Sequence, residues 1–205
     1  MTRQARAPWS QATVQEYLHL PLRAHSLLRD VPVHDVWRVA LPGGGPDRTM
    51  ADVRAVFEVA RQSHRLSLPV RALFELRWSI GRLFRWDRPA PQPEAWSFLA
   101  RLTETDRRQS IVEPGTTDGP FTILYAHPME AVSEIRNATV HGFLVWALEP
   151  TSAGYQLFWA IHVLPVSVWT RPYLALIDPF RRWLVYPALL RRLHESWARR
   201  FQADA

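Results

Sequence analysis

The sequence predicts an α+β fold in which a twisted antiparallel sheet wraps around a long C-terminal helix. Two observations lead to this prediction. From Ser97 onward apolar and polar residues alternate with a period of two, and short turns separate the alternating segments. After Asp178 the period becomes helical, and one apolar stripe continues to Phe201. Because strands joined by short turns pair antiparallel, a parallel α/β sheet is disfavoured.

Six β-strands are predicted in this sheet. The first, residues 33–41, is rich in β-branched and aromatic residues and ends at the loop 42–46. The glycines of that loop lack the following Gly-Lys-Ser/Thr that a phosphate-binding loop needs, which favours a plain connection. The remaining strands are predicted over residues 108–112, 120–125, 131–138, 139–148 and 155–165.

Two helices are predicted between the first strand and the others. Thr49 is a suitable N-cap with Asp52 three residues later, and apolar residues then recur at helical spacing over residues 50–62. A second helical stripe covers residues 70–84 and ends at a proline-rich stretch. Within residues 13–28, a short helix followed by a turn is predicted.

The last two strands allow a prediction of their register. Pairing Leu148 with Tyr155 also places His141 opposite His162. One face then becomes almost wholly apolar and needs the C-terminal helix as a cover. The other face is mixed, and we expect it to be partly solvated or packed on a partner. The apolar face holds Val140, Leu144, Trp146, Leu148, Tyr155, Leu157, Trp159, Ile161 and Val163, and the mixed face holds Thr139, His141, Phe143, Gln156, Phe158 and His162.

The C-terminal helix is predicted over residues 178–201, with Asp178 as N-cap and Pro179 in the first helical position. Pro187 cannot donate a hydrogen bond to the carbonyl of Trp183, so a kink or break is expected there. The first half is apolar nearly all round, which predicts burial on two sides or a subunit contact. The main stripe holds Trp183, Tyr186, Leu190, Leu193, Trp197 and Phe201.

Length and composition limit the class of protein. With 205 residues and 47% hydrophobic content, the chain fits one domain, predicted over residues 31–202 after an N-terminal arm at 1–30. Cysteine is absent, which excludes disulfides, thiolate zinc sites and a cysteine nucleophile. The chain shows neither the apolar run of a signal peptide nor the ~20 apolar residues of a membrane span. A cytoplasmic protein without a transmembrane segment is therefore predicted.

The ionisable residues do not form a recognisable catalytic or metal site. Net charge is +6, but the arginines that supply it are spread along the chain, so nucleic acid is not predicted as a partner. None of the eight histidines has ligand spacing, and no metal is predicted. No Gly-x-Ser-x-Gly turn or suitably spaced carboxylate pair indicates a hydrolase.

Three segments together resemble the domain-of-unknown-function family 2867. They are residues 75–87 (ELRWSIGRLFRWD), 136–148 (RNATVHGFLVWAL) and 179–192 (PFRRWLVYPALLRR), and the match in order extends from about 34 to 197. That family is similar in turn to the helix-grip superfamily of polyketide cyclases, lipid-transfer domains and pollen allergens. The resemblance implies a curved sheet around a C-terminal helix and an apolar cavity. Some relatives carry a nucleotide-binding reductase domain, but no Gly-x-Gly-x-x-Gly is present here, so no cofactor is predicted.

The resemblance and the apolar face together predict a binding domain for a small apolar, aromatic or lipid-like molecule in an internal cavity. Glu134 and Arg136 share one face of a strand, and they are expected to form a structural ion pair or to fix a polar ligand group. Tryptophans on the apolar face are expected to form plain core or to line the cavity. The candidate ligand-binding residues are Glu134, Arg136, Trp146, Trp159, Trp183 and Tyr186.

Two other functions stay open at this point. The first is an enzyme of the cyclase, dehydratase or isomerase type that uses Glu134, Arg136 and a histidine. His141 and His162 would suit acid–base chemistry or a pH switch if they lie close, although two half-exposed sheet histidines are the simpler interpretation. The second is a structural domain that forms a homodimer through the mixed sheet face or the first half of the C-terminal helix.

Overall fold

The computed structural model describes residues 7–62, 97–137 and 140–202, and a curved antiparallel sheet of seven strands forms its centre. The strands are β1 (Trp9–Gln11), β2 (Val33–Pro42), β3 (Thr117–Asp118), β4 (Phe121–Ala126), β5 (Glu130–Arg136), β6 (Val140–Thr151) and β7 (Gly154–Pro165). Their spatial order is β1-β2-β7-β6-β5-β4-β3. The long strands β2, β7 and β6 therefore lie side by side.

Helices precede and follow these strands. They are α1 (Val14–Leu18), α2 (Arg23–Leu27), α3 (Met50–Gln62), a 3₁₀ turn (Phe98–Arg101), α4 (Glu104–Gln109), α5 (Thr170–Phe180) and α6 (Tyr186–Phe201). A π-helical turn, Arg181–Val185, joins α5 to α6 and is called the π segment below. Within the described ranges, no helix has the length and apolarity needed to cross a bilayer.

The inner face of the sheet packs against α3 and α6 and forms the main core. Trp37, Leu144, Trp146 and Trp159 are among its sheet residues, since alternate side chains of a strand point to the same side. The helices contribute the apolar stripe that the sequence predicts, from Tyr186 to Phe201, together with residues of α3. The α+β architecture and the cover over the apolar sheet face are thus confirmed.

The outer face of the sheet is buried as well, contrary to the expectation of a partly solvated surface. Phe143 and Phe158 lie in a second core with Tyr17 of α1, Leu27 of α2 and Phe98 of the 3₁₀ turn. The short N-terminal helices pack on the sheet because they carry these apolar side chains. The outer face therefore belongs to the interior of the chain.

The observed register of β6 and β7 differs from the predicted one by two residues. Leu148 faces Leu157 rather than Tyr155, and His141 faces Leu164 rather than His162. The difference arises because strand pairing continues to Thr151 and Gly154, which leaves a hairpin loop of only two residues. A shift of two residues keeps every side chain on its face, so the predicted apolar face is correct although the predicted pairs are wrong.

Other predicted elements have mixed outcomes. The helix over 50–62 is confirmed with those bounds, whereas the helix predicted at 70–84 lies outside the described residues. The strand predicted at 108–112 is wrong, because a capping box of Thr103 and Asp106 begins the helix α4. Strand β1, which pairs with β2, was not predicted because it has only three residues.

The C-terminal helix begins earlier than predicted. It starts at Thr170, and Pro179 lies inside α5 instead of at the first helical position. The predicted break near Pro187 appears as the π segment, where the Tyr186 N–H donates to the carbonyl of Arg181, five residues before it. Because Pro187 has no N–H for the carbonyl of Trp183, the wider π turn lets the chain continue as α6 without that bond.

Candidate functional site

Three tryptophans form a row across the inner face of the sheet. Trp37 of β2 lies directly opposite Trp159 of β7, and Trp159 lies directly opposite Trp146 of β6. The ring centres of Trp146 and Trp159 are 5.4 Å apart. Ala131 of β5 and Ala126 of β4 continue the same row with small side chains. The result is a broad aromatic surface, called the tryptophan row below, which ends beside two alanines.

Two further rings lie over the tryptophan row. Phe57 of α3 places its ring 5.1 Å from Trp146 and 5.9 Å from Trp159, between ring centres. Tyr186, the first residue of α6, lies 5.7 Å from Trp37 and 6.2 Å from Trp159. These tilted and edge-to-face contacts are favourable geometries for aromatic pairs. The row is therefore covered from the helix side by α3 and by the start of α6.

The indole N–H groups of the tryptophan row have no hydrogen-bond acceptor. In the described part of the chain, the Nε1 atoms of Trp37, Trp146 and Trp159 are all buried and all unpartnered. A buried donor without a partner costs about 1–3 kcal/mol, and buried Trp N–H groups usually find an acceptor. Three such donors in adjacent positions indicate a surface suited to a molecule that offers acceptors.

A buried polar cluster lies at one end of the tryptophan row. Asp35 is on the same face of β2 as Trp37, next to a bulge at His34, and is only 3% exposed. Arg181 of the π segment donates from Nη2 to Asp35 Oδ2 at 3.3 Å and from Nη1 to Asp178 Oδ1 at 2.9 Å. Its Nε donates to the Tyr186 hydroxyl at 2.7 Å. One guanidinium thus connects the sheet, α5 and the aromatic cover.

The electrostatics of this cluster follow from its burial. Burial raises the pKa of Asp35 above its ordinary value, although Arg181, His34 and Arg182 act in the opposite direction. Asp35 Oδ1 accepts no hydrogen bond from any residue described in the structure. His34 Nε2 donates to Asp178 Oδ2 at 2.7 Å. The cluster therefore contains a carboxyl group that is stabilised on one oxygen only.

A second buried polar cluster surrounds Glu134 on the outer face. Its carboxylate, 1% exposed, accepts hydrogen bonds from the Ser97 hydroxyl, the Phe98 N–H at 3.1 Å and His141 Nε2 at 2.8 Å. Arg136 Nε lies 3.6 Å from Glu134 Oε1, so the predicted ion pair is present. Burial alone would raise the pKa of Glu134, but the bonds from His141, Ser97 and Phe98 lower it below its ordinary value. This cluster fastens the 3₁₀ turn to the sheet.

His141 and His162, the two histidines considered for acid–base chemistry, do not form a pair. His141 donates to Glu134, and His162 lies opposite Phe143. Both are buried, at 2% and 3% exposure, so the interpretation as half-exposed sheet histidines is wrong. His162 donates from Nδ1 to the Val31 carbonyl and accepts the Tyr17 hydroxyl at Nε2, while burial lowers its pKa. Each histidine has a separate structural partner.

The structure divides the six candidate ligand-binding residues among three places. Trp146, Trp159 and Tyr186 come together on the inner face, as the apolar pattern indicated. Glu134 and Arg136 lie on the opposite face, so they cannot share a cavity with the tryptophans. The side chain of Trp183 is in solvent, with 78% of its surface exposed. A single site that contains all six residues is therefore excluded by the geometry.

Sequence reasoning missed three residues of the inner-face site. Asp35 and Trp37 are two residues apart in β2, and alternate residues of a strand share a face. This period of two was available in the sequence to place both residues on the inner face. Arg181 carried no such signal, because it lies outside the apolar stripe that the sequence shows from Trp183 to Phe201. Its inward direction depends on the π segment, which changes the angle at which side chains leave the helix.

A comparison with models of protein families finds a match over most of the chain. The model described as "Protein of unknown function (DUF2867)" matches residues 27–188. The matched range contains the tryptophan row, Asp35 and the π segment. A search of curated proteins finds no match.

Proposed function

We propose that this chain, which belongs to the DUF2867 family of proteins of unknown function, binds a small molecule on the tryptophan row. The proposed ligand has an apolar, aromatic body. The observation that supports this proposal is the set of three adjacent indole N–H groups without an acceptor in the described chain. A ligand that brings an oxygen or an aromatic face to these donors would recover part of the cost of burying them.

The tryptophan row also supplies the apolar contact that such a ligand needs. An aromatic body that buries about 200 Å² gains about 5 kcal/mol at roughly 25 cal/mol per Å². Part of this gain offsets the translational and rotational freedom that the ligand loses on binding, and the surplus appears as affinity. Hydrogen bonds to the indole donors would increase the affinity further.

Ligand entry requires movement of the cover. Tyr186 and Phe57 lie directly over the row, and the indole donors are not solvent-accessible in this conformation. The π segment precedes Tyr186 and interrupts the regular hydrogen bonding of the helix. We therefore expect α6 to move away from the sheet around the π segment when a ligand enters, as in the hinge motions of other binding proteins.

Methylnaphthalene is a suitable first probe, because it has an aromatic body and no polar group. Isothermal titration calorimetry of the protein should show one binding site with a negative heat-capacity change. Trp159→Leu removes the central ring of the row and should weaken binding about tenfold or more. Trp183→Leu is the matched control, since Trp183 is exposed and outside the row. Absence of binding, or equal effects of the two substitutions, would refute the proposal.

Native mass spectrometry gives a test that needs no chosen probe. The mass of the purified protein under native conditions is compared with its mass after denaturation. A difference of a few hundred daltons that is lost on denaturation would support the proposal and give the mass of the bound molecule.

The surroundings of Glu134 and His141 give little support for an enzymatic function. Glu134 accepts three hydrogen bonds, and His141 is one of its donors. Both are buried on the outer face, away from the tryptophan row. We therefore propose a binding function in preference to an enzymatic one.

Self-association is a second candidate function, which one observation favours. Large apolar side chains are exposed along α5 and the π segment, at helical intervals of seven, four and three residues. They are Trp169 (59%), Leu176 (44%), Phe180 (40%) and Trp183 (78%). Such a stripe is typical of an interface. Light scattering after size exclusion should then give the mass of two chains, and Trp183→Ala should shift the protein towards one chain; a single-chain mass for the parent protein would refute this role.

A further inference from the structure

We infer that Asp35 Oδ1 and Arg182 Nε form a polar subsite at the end of the tryptophan row, which binds a neutral ligand group with both a donor and an acceptor, such as a carboxamide. The inference rests on the proposed function, because the ligand body is held by the tryptophan row. It adds the chemical class of the polar end of the ligand.

The acceptor of this subsite is Asp35 Oδ1. The Asp35 side chain is almost completely buried, and Arg181 uses only its other oxygen, Oδ2. Oδ1 has no donor among residues 7–62, 97–137 and 140–202. A buried carboxyl oxygen is normally hydrogen-bonded, because its desolvation is costly. A ligand N–H would satisfy it.

The donor of the subsite is Arg182 Nε, the next residue of the π segment. It is buried and has no acceptor in the described structure. It lies 3.6 Å from Asp35 Oδ2, which is too far for a hydrogen bond. The two unsatisfied atoms therefore belong to side chains that approach each other closely, and they provide one acceptor on β2 and one donor on the π segment. This arrangement matches the C=O and N–H of a single amide group.

The position of the subsite fits a ligand that also contacts the tryptophan row. Asp35 and Trp37 are two residues apart on the same face of β2, which is about 7 Å along a strand. Arg181, which holds Asp35, also donates to Tyr186, and Tyr186 contacts Trp37. A bicyclic body on Trp37 and Trp159 would therefore place a short substituent beside Asp35.

The charges around the subsite favour a neutral group over an anion. Arg181 and Arg182 are balanced by Asp35 and Asp178, which both lie within 4 Å of one or the other guanidinium. A carboxylate ligand would meet the lone pairs of Asp35 Oδ1 and would be repelled. An amide presents opposite hydrogen-bonding groups to the two protein atoms and adds no charge to a buried site.

Three probes with the same ring system test this assignment by calorimetry: naphthalene carboxamide, naphthalene carboxylate and methylnaphthalene. The parent protein should bind the carboxamide about tenfold more tightly than methylnaphthalene, as one net hydrogen-bonding gain implies, and should bind the carboxylate more weakly than the carboxamide. Arg182→Met keeps the aliphatic side chain and removes the donor, so the preference for the carboxamide should disappear while methylnaphthalene still binds. Arg171→Met, an exposed arginine of α5, is the matched control and should keep the preference.

The outcomes separate the two proposals. If methylnaphthalene binds but the parent protein shows no preference for the carboxamide, the subsite is refuted and the binding function stands. The same conclusion follows if Arg182→Met keeps the preference, or if the carboxylate binds most tightly. If none of the three probes binds, the proposed function is refuted together with the subsite. The comparison among probes in the parent protein does not depend on the folding of any variant.

Discussion

Replacing Glu134 with alanine tests how strongly the buried cluster of the outer face holds the fold together. The substitution removes the acceptor of the Ser97 hydroxyl, the Phe98 N–H and His141 Nε2. Buried donors left without a partner cost about 1–3 kcal/mol each, and three donors share this one carboxylate. Because such effects overlap, we expect a loss of about 4 kcal/mol in the free energy of unfolding.

Urea denaturation followed by circular dichroism measures this loss. With a slope of about 2 kcal/mol per M, the midpoint should fall by about 2 M at pH 7. Arg136→Ala is the matched control: its side chain is 27% exposed and its contact with Glu134 is 3.6 Å, so the loss should stay below about 1 kcal/mol.

The pH dependence of the same difference gives a further check. In the folded protein the pKa of Glu134 is lowered from its ordinary value of 4.5. The Glu134 carboxylate therefore stabilises the fold fully above pH 4.5, and this stabilisation is lost as the pH falls through the folded pKa. The gap between the parent protein and Glu134→Ala should therefore narrow in acid. Equal losses for Glu134→Ala and Arg136→Ala, or a gap that is unchanged in acid, would refute the reasoning.

Four other substitutions test three separate features. Gly154→Ala places a side chain at φ +131° with Cβ 2.5 Å from the Gly43 nitrogen, so a loss of about 3 kcal/mol is expected, and an unchanged melting temperature would contradict it. Because the folded pKa of Asp35 is raised, its contribution to the free energy of unfolding is greatest below pH 3.8 and is lost as the pH rises through the folded pKa. Asp35→Asn should remove this contribution. A difference in free energy of unfolding between parent and variant that does not change with pH would exclude it. At a protein concentration where the chain does not self-associate, Trp183→Ala should change the free energy of unfolding by less than about 0.5 kcal/mol. Trp197→Ala, at a fully buried position, should cost about 3–5 kcal/mol in the same chemical denaturation series.

The elements of this fold could be predicted from the sequence where the local signals agreed with one another. The helix over 50–62 has a suitable N-cap residue in Thr49, an acidic residue in the first turn and a regular apolar stripe, and all three agree. The start of the C-terminal helix was missed because Pro172 and Pro179 are strong local signals against a helix. Pro172 lies in the first turn of α5, where no N–H donor is needed. Pro179 lies in the last turn of α5, two residues before the π segment begins.

The site was predictable only in part, because its residues come from elements that are distant in sequence. The tryptophans of β6 and β7 share a face by simple alternation, and that part of the prediction is correct. The misplacement of Glu134 had a different cause, since its face depends on the pairing of β5 with β6, which the sequence did not fix. The polar cluster needs both the bulge at His34 and the π segment, and neither has a reliable local signature.

The π segment changes the angular phase of the C-terminal helix. One additional residue in a helical turn corresponds to a rotation of about 100° for everything that follows. This rotation explains why Trp183, which matches the stripe of α6 by counting, lies in solvent while Tyr186 faces the sheet. Deleting one residue from Arg181–Val185 would therefore leave the composition nearly unchanged but would turn either α5 or α6 by that angle. The length of this segment, as much as its chemistry, determines which side chains reach the sheet.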